Sequence, residues 1–153
     1  MHPANTIEIT GGLQKQRQLA YNLIEYCIDE MLPRHRSLWI ECNLSAIPKK
    51  ERCVGYCQHD SGNDFTLEID KNQNLYDFLL TIAHEMVHVK QYVRKELKED
   101  FPQTIWFNKV YSDGRCYPWE LEAWKLQKPL THGFIKKRLE KRIKDIISID
   151  KRL

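Results

Sequence analysis

The sequence predicts an α+β domain whose helices and strands are segregated along the chain. Three short segments with alternating apolar residues lie together between two segments of helical periodicity, and further helical segments follow. The 153 residues, 42% apolar and 29% charged, suffice to bury one sizeable core, so a single domain over residues 1–153 is expected. The expected architecture is a small antiparallel sheet of about three strands packed on a central helix. An N-terminal helix, a short helix with two glutamates and a C-terminal helix would flank it.

The first helix is expected from about Leu13 to Leu32. Leu19, Leu23, Ile24, Cys27, Ile28 and Met31 share a face, Gly11-Gly12 precede it and Pro33 ends it. Strands follow over Ser37–Leu44, Arg52–His59 and Phe65–Asp70. In the first and third, every second residue is apolar, and the turn residues Asp60-Ser61-Gly62-Asn63-Asp64 make the last two a hairpin. A long helix should run from Leu75 to about Glu99, capped by Asn74 with Asp77 reaching back. An aromatic-rich loop comes next. Pro118 then opens a helix over Trp119–Gln127 that stops before Pro129, and a last amphipathic helix covers about Gly133–Ile149.

Charge and hydropathy exclude more than they identify. A net charge of +3 announces neither a nucleic-acid nor a membrane partner. No apolar run is long enough to span a bilayer, and residues 1–6 lack the order of a secretory signal, which together point to the cytoplasm. The five cysteines, Cys27, Cys42, Cys53, Cys57 and Cys116, follow no disulfide-framework spacing and read as free thiols. Cys53, Cys57 and His59 do not match a common zinc pattern, and His2 and His35 carry no signal.

Chemistry concentrates on the long helix. Between Leu79 and Val93 it is apolar on almost every side, the mark of a buried central helix, yet His84, Glu85 and His88 are set into it. Buried polar groups cost several kcal/mol unless compensated. His84 and His88 stand one turn apart on one face, where two imidazoles can reach a single Zn²⁺. Glu85, rotated about 100° from His84, leans over that site as a base rather than joining it as a third ligand. Two ligands and one general base on one turn is the mechanical sense of His-Glu-x-x-His. A zinc site takes a third protein ligand, and Glu120 and Glu122 in Pro118-Trp119-Glu120-Leu121-Glu122-Ala123-Trp124 are the candidates.

His84-Glu85-x-x-His88 followed by a helical Glu120-x-x-Ala123 resembles the gluzincins, and among them the small minigluzincins. The resemblance covers about Ser37–Gln127. It implies Glu120 as third ligand, with Glu122 the alternative about 200° round the helix. It also implies a zinc-dependent metallopeptidase in which the ion activates water, Glu85 is the general base and a protein or peptide is the substrate. Gluzincins often carry Asp four residues after the ligand glutamate to support a zinc histidine. Trp124 stands there, so support must come from elsewhere, with Asp77 and Asp113 as candidates. SprT-like proteases are more distantly similar and take a later histidine as ligand. His132 is the one histidine after His88, but between Pro129 and Gly133 it reads as a loop residue.

Tyr111 and Tyr117 are candidate stabilisers of the tetrahedral oxyanion, with packing as the commoner role of such residues. Phe65–Asp70 is the strand expected to pair with an extended substrate. Gln91, three residues after His88, can face the site from its edge, but reads first as solvating or capping locally. The basic segment Lys136, Lys137, Arg138, Lys141, Arg142 and Lys144 can touch nucleic acid, but reads first as the solvated face of a helix over a core stripe. Two alternatives to the peptidase reading are a non-catalytic zinc-binding regulatory module and a SprT-like nucleic-acid-associated protease. Oligomeric state is not legible.

Overall fold

A computed structural model describes residues 5–111 and 117–152. His2, Asp113 and Cys116 lie outside the described residues. In chain order the elements are β1 (Thr6–Gly11), α1 (Gln14–Met31), β2 (Trp39–Ser45), β3 (Gly55–Ser61), β4 (Asp64–Asp70), α2 (Leu75–Val93), β5 (Leu97–Asp100), β6 (Gln103–Trp106), β7 (Lys109–Tyr111) and α3 (Pro118–Arg152), with a short 3₁₀ turn at Lys49–Glu51. The fold is α+β, as the sequence predicts.

The main sheet differs from the expected one. It has four strands in the order β1-β2-β4-β3, and only β3–β4 is antiparallel. β1 and β2 run parallel, with α1 as the crossover, and β2 and β4 are parallel too. The register places Ile40 beside Phe65, Cys42 beside Leu67 and Leu44 beside Ile69, so one face of the central strands is uniformly apolar. α1 and α2 close over these residues to form the core. β1 escapes the sequence reading because only Ile7 and Ile9 alternate before Gly11. There the backbone has φ +78°, and an added Cβ would lie 2.1 Å from the Leu44 carbonyl oxygen. Glycine is needed for β1 to leave β2 and turn into α1.

α2 stops at Val93 rather than near Glu99. Lys95 takes a left-handed conformation (φ 60°), and Leu97 is drawn into β5 beside Trp106 of β6. Strand pairing overrides the helix propensity of Glu96-Leu97-Lys98-Glu99. The expected aromatic loop is in fact a three-stranded antiparallel sheet, β5-β6-β7. Its second turn, Phe107-Asn108, has positive φ at both residues, the geometry that suits a two-residue hairpin.

The two expected C-terminal helices are one. α3 runs 35 residues straight through Pro129. Pro129 and Lys125, whose carbonyl loses its helical partner, are both on the exposed side of the helix, where solvent can take that partner's place, while buried Leu130 and Phe134 hold the helix to the core. The basic stretch after Phe134 does not lie over the core: each described side chain from Lys136 to Asp150 is exposed, the aliphatic ones included. Among the described residues no helix is long and apolar enough to cross a membrane.

Candidate metal centre

The site sits where the middle of α2 meets the first turns of α3. Asn74 caps α2 by accepting from the Asp77 N–H (2.9 Å) and its amide reaches the Asp77 carboxylate (2.8 Å), which commits Asp77 to the helix start and not to the histidines. From there the buried residues Phe78, Ile82, Met86 and Val89 anchor α2 in the core. Their anchoring turns His84 and His88 to α3.

The structure brings His84, His88 and Glu120 together. His84 Nε2 is 3.3 Å and His88 Nε2 is 2.5 Å from the two carboxylate oxygens of Glu120. All three donor atoms lie within 4.8 Å of one another, and among the described residues no other group of three His, Cys, Asp or Glu converges in this way. Ligand atoms around a tetrahedral zinc at its usual bond lengths are about 3.4 Å apart, so the triangle has the right scale for one ion with one position left open.

What ties down the far side of each imidazole is the more telling feature. His84 Nδ1 donates to Gln127 Oε1 and His88 Nδ1 donates to Gln91 Oε1, each at 2.8 Å. An amide oxygen only accepts, so each Nδ1 carries the proton and each Nε2 turns its lone pair to Glu120. Two lone pairs and a carboxylate at these distances call for a positive charge between them, a proton or a metal ion. Gln91 is itself held: its amide nitrogen donates to the Trp119 carbonyl (2.9 Å) and to Glu122 (3.0 Å). The role expected of a carboxylate is thus filled by two neutral amides. Gln91 is wholly buried and faces the site, the second of its two sequence readings, rather than solvating locally. Gln127 escaped the sequence reading, although it lies two turns beyond Glu120 and hence on the same face of α3.

Glu122 is turned away from the histidines. It pairs with Lys90 (2.8 Å), which also holds Glu96 (2.8 Å), so one buried lysine joins α2, the start of β5 and α3. His132 lies elsewhere, with its Nε2 2.6 Å from the Tyr76 hydroxyl. Tyr111 packs edge-on against Trp119 (5.4 Å between centroids), and Tyr117 stacks on the same indole (4.8 Å). Trp119, not either tyrosine, lines the cleft over the donors. His59 stacks on Phe65, packs at a tilt against Tyr92 and bonds the Gly62 carbonyl, and it forms no metal-ligating group with Cys53 and Cys57 among the described residues.

Electrostatics follow this geometry. Burial depresses the two imidazoles, but the bonds to Glu120 and to the glutamines, with the charge of Glu85, outweigh it and leave both pKa values above the ordinary histidine value. Hydrogen bonds from His84 and His88 hold Glu120 well below the usual carboxylate range, against the effect of burial. For Glu122, burial raises the carboxyl, yet Lys90 and Gln91 bring the balance below normal. Glu85 goes the other way: burial lifts it above the usual range, though the histidines draw it back. Only 5% exposed, it has no lysine or arginine partner among the described residues.

Two clefts meet at His84, Glu85 and Glu120, of about 270 Å³ on the His88 side and about 500 Å³ on the Trp124 side. Gly55 of β3 lines both. A Cβ there would lie 2.6 Å from Thr81 Cγ2 on α2, so glycine lets β3 run close beside the helix. β3 is an edge strand of the sheet, without a partner on its outer side among the described residues, whereas Phe65–Asp70 is β4, paired on both sides and closed to a further strand. No family model, curated protein or solved structure matches the chain, so its reading rests on the geometry of this site.

Proposed function

We propose that the chain is a zinc metallopeptidase of gluzincin type, with His84, His88 and Glu120 holding the ion and Glu85 as general base. The observation that carries the reading is the pair of imidazoles whose Nδ1 protons are spent on Gln127 and Gln91, so that both Nε2 atoms meet Glu120 beside the buried Glu85, which has no lysine or arginine partner among the described residues. The donor set of two imidazole nitrogens and a carboxylate fits zinc with an open position. When bound, the ion polarises a carbonyl and brings the pKa of water toward neutrality.

The remaining work falls to the chain. Glu85, its carboxyl raised by burial, takes the proton of the attacking water and returns it to the leaving amine. Gln91 and Gln127 keep the imidazoles in the tautomer that offers Nε2. β3 offers free backbone groups along the cleft, to which an extended peptide can pair. A cytoplasmic location belongs to this reading, supported by the unpaired state of Cys27, Cys42, Cys53 and Cys57.

The test combines metal analysis with Glu85→Gln. About one zinc per chain is expected in both proteins, with cleavage of a quenched fluorescent peptide library lost only in the variant. Wild type purified without zinc, or cleavage that survives the substitution, overturns the reading.

A further inference from the structure

The far half of α3 leaves its apolar side uncovered. Leu139, Ile143, Ile146, Ile147 and Ile149 are each about half exposed and fall on one broad side of the helix. Phe134 and Ile135 still belong to the core cluster, and beyond them α1, α2 and α3 enclose an open groove of about 770 Å³. Leu19 of α1, Leu75, Tyr76 and Leu79 of α2, and Ile135 and Leu139 of α3 supply apolar walls. Arg138, Lys141 and Arg142 also line it, with Asp145 the one acidic side chain there.

Shape and charge together select the occupant. A second copy would bring its own α3, with six basic and three acidic side chains between Lys136 and Asp150, and set like charge against like. A bilayer surface accepts a convex helix face and does not enter a groove walled by three helices. Nucleic acid would satisfy the basic rim and leave the leucines and isoleucines wet. A helix with an apolar stripe and acidic flanks answers both the walls and the rim. We propose that the groove between α1, α2 and α3 docks an acidic amphipathic helix of a partner protein. The groove is separate from the histidine site, and its occupancy does not depend on the metal reading.

The experiment uses the full chain and a fluorescein-labelled peptide of about 18 residues, with leucines on one helical face and glutamates elsewhere. A twin peptide carries lysine in place of glutamate. Anisotropy titration is expected to show saturable binding of the glutamate peptide, roughly tenfold or more tighter than the lysine twin, and weakening with salt. Leu139→Asp is expected to abolish this binding, and Arg142→Glu to narrow the preference between the peptides. Both positions are exposed, and an unchanged thermal melt checks that each variant folds. Absent binding of the glutamate peptide, equal binding of the twins, or binding indifferent to Leu139→Asp overturns the proposal. So does a dimer in sedimentation that Leu139→Asp abolishes, or attachment to phosphatidylserine-rich vesicles without peptide binding.

Discussion

α2 and the far half of α3 are both helices rich in large aliphatic residues, yet one is buried on nearly every side and the other on none. α2 is covered by the sheet, by α1 and by the near half of α3, and between Thr81 and Gln91 almost every residue is buried. In that setting its polar side chains other than Glu85 are individually compensated: Thr81 by Gln73 and the Asp77 carbonyl, His84 by Gln127, His88 by Gln91, Lys90 by Glu96 and Glu122. The charged side chains of the far half of α3 are exposed, and none forms a salt bridge among the described residues, though Lys137 and Arg138 lie over the Tyr26 and Phe134 rings. Apolar content alone therefore does not make a core helix. What surrounds it determines whether its polar groups must be paired, and hence whether they can be held in a reactive geometry.

The largest expected effect breaks the buried side of this contrast at Glu85, the buried carboxylate without a basic partner among the described residues. Under the proposed reading, Glu85→Gln lowers peptide cleavage by about 10²–10⁴-fold and leaves metal content unchanged. Next comes packing. Ile82, wholly buried, is expected to cost about 2–5 kcal/mol on truncation to Ala, measured by denaturant unfolding. Ile146, 51% exposed, should cost no more than about 0.5 kcal/mol in the same assay. Similar losses at the two positions would mean that the far half of α3 is packed in solution and that the contrast is wrong.

Smaller effects test how the histidines are tied down. Gln127→Leu should weaken metal binding by about 10–100-fold in a competition titration. Gln91→Leu should weaken it at least as much, because it also removes one of two bonds to Glu122 and the bond to the Trp119 carbonyl. An affinity unmoved by both would show that the amides do not orient the imidazoles.

The mildest effect is on pH. In metal-free protein the raised histidines favour the fold most below their unfolded value of 6.5, and that contribution fades as pH rises through their folded values. The lowered Glu120 contributes above its unfolded value of 4.5, and that part fades as pH falls through its folded value. The three groups together support the chelated protein best between 4.5 and 6.5. Added zinc should reverse the trend on the alkaline side, since protons and metal compete for Nε2. Thermal melts with chelator and with zinc across pH 4.5–8 check both directions, and parallel curves would count against a shared site.

The legible part of the molecule was local. α1, the three strands β2, β3 and β4, the Asn74 cap and the burial of the His84–His88 turn all follow from periodicity and cap chemistry within a few residues, which neighbours along the chain enforce. The placement of Glu120 with the histidines was anticipated through a two-motif resemblance, but its separation from Glu122 rests on Lys90, a contact no spacing rule signals. Gln127 was overlooked and Gln91 read first as a local residue because glutamine has no distinctive pattern; only the approach of α3 to α2 brings Gln127 to His84 and gives the Gln91 amide nitrogen its partners, Trp119 and Glu122.

By itself, then, the sequence determined which segments are helical or extended across most of the chain, and that polar groups interrupt an apolar helix. Tertiary structure alone decided that β2 pairs in parallel with β1 and β4, that residues 97–111 pair as strands, and that α3 crosses Pro129 without stopping. It also decided that the aliphatic stripe of α3 faces no core. The reason is one of range. Periodicity and capping are set within a turn or two of chain, whereas strand partners, the solvent exposure of one carbonyl and the covering of a helix face are set by segments far apart in sequence.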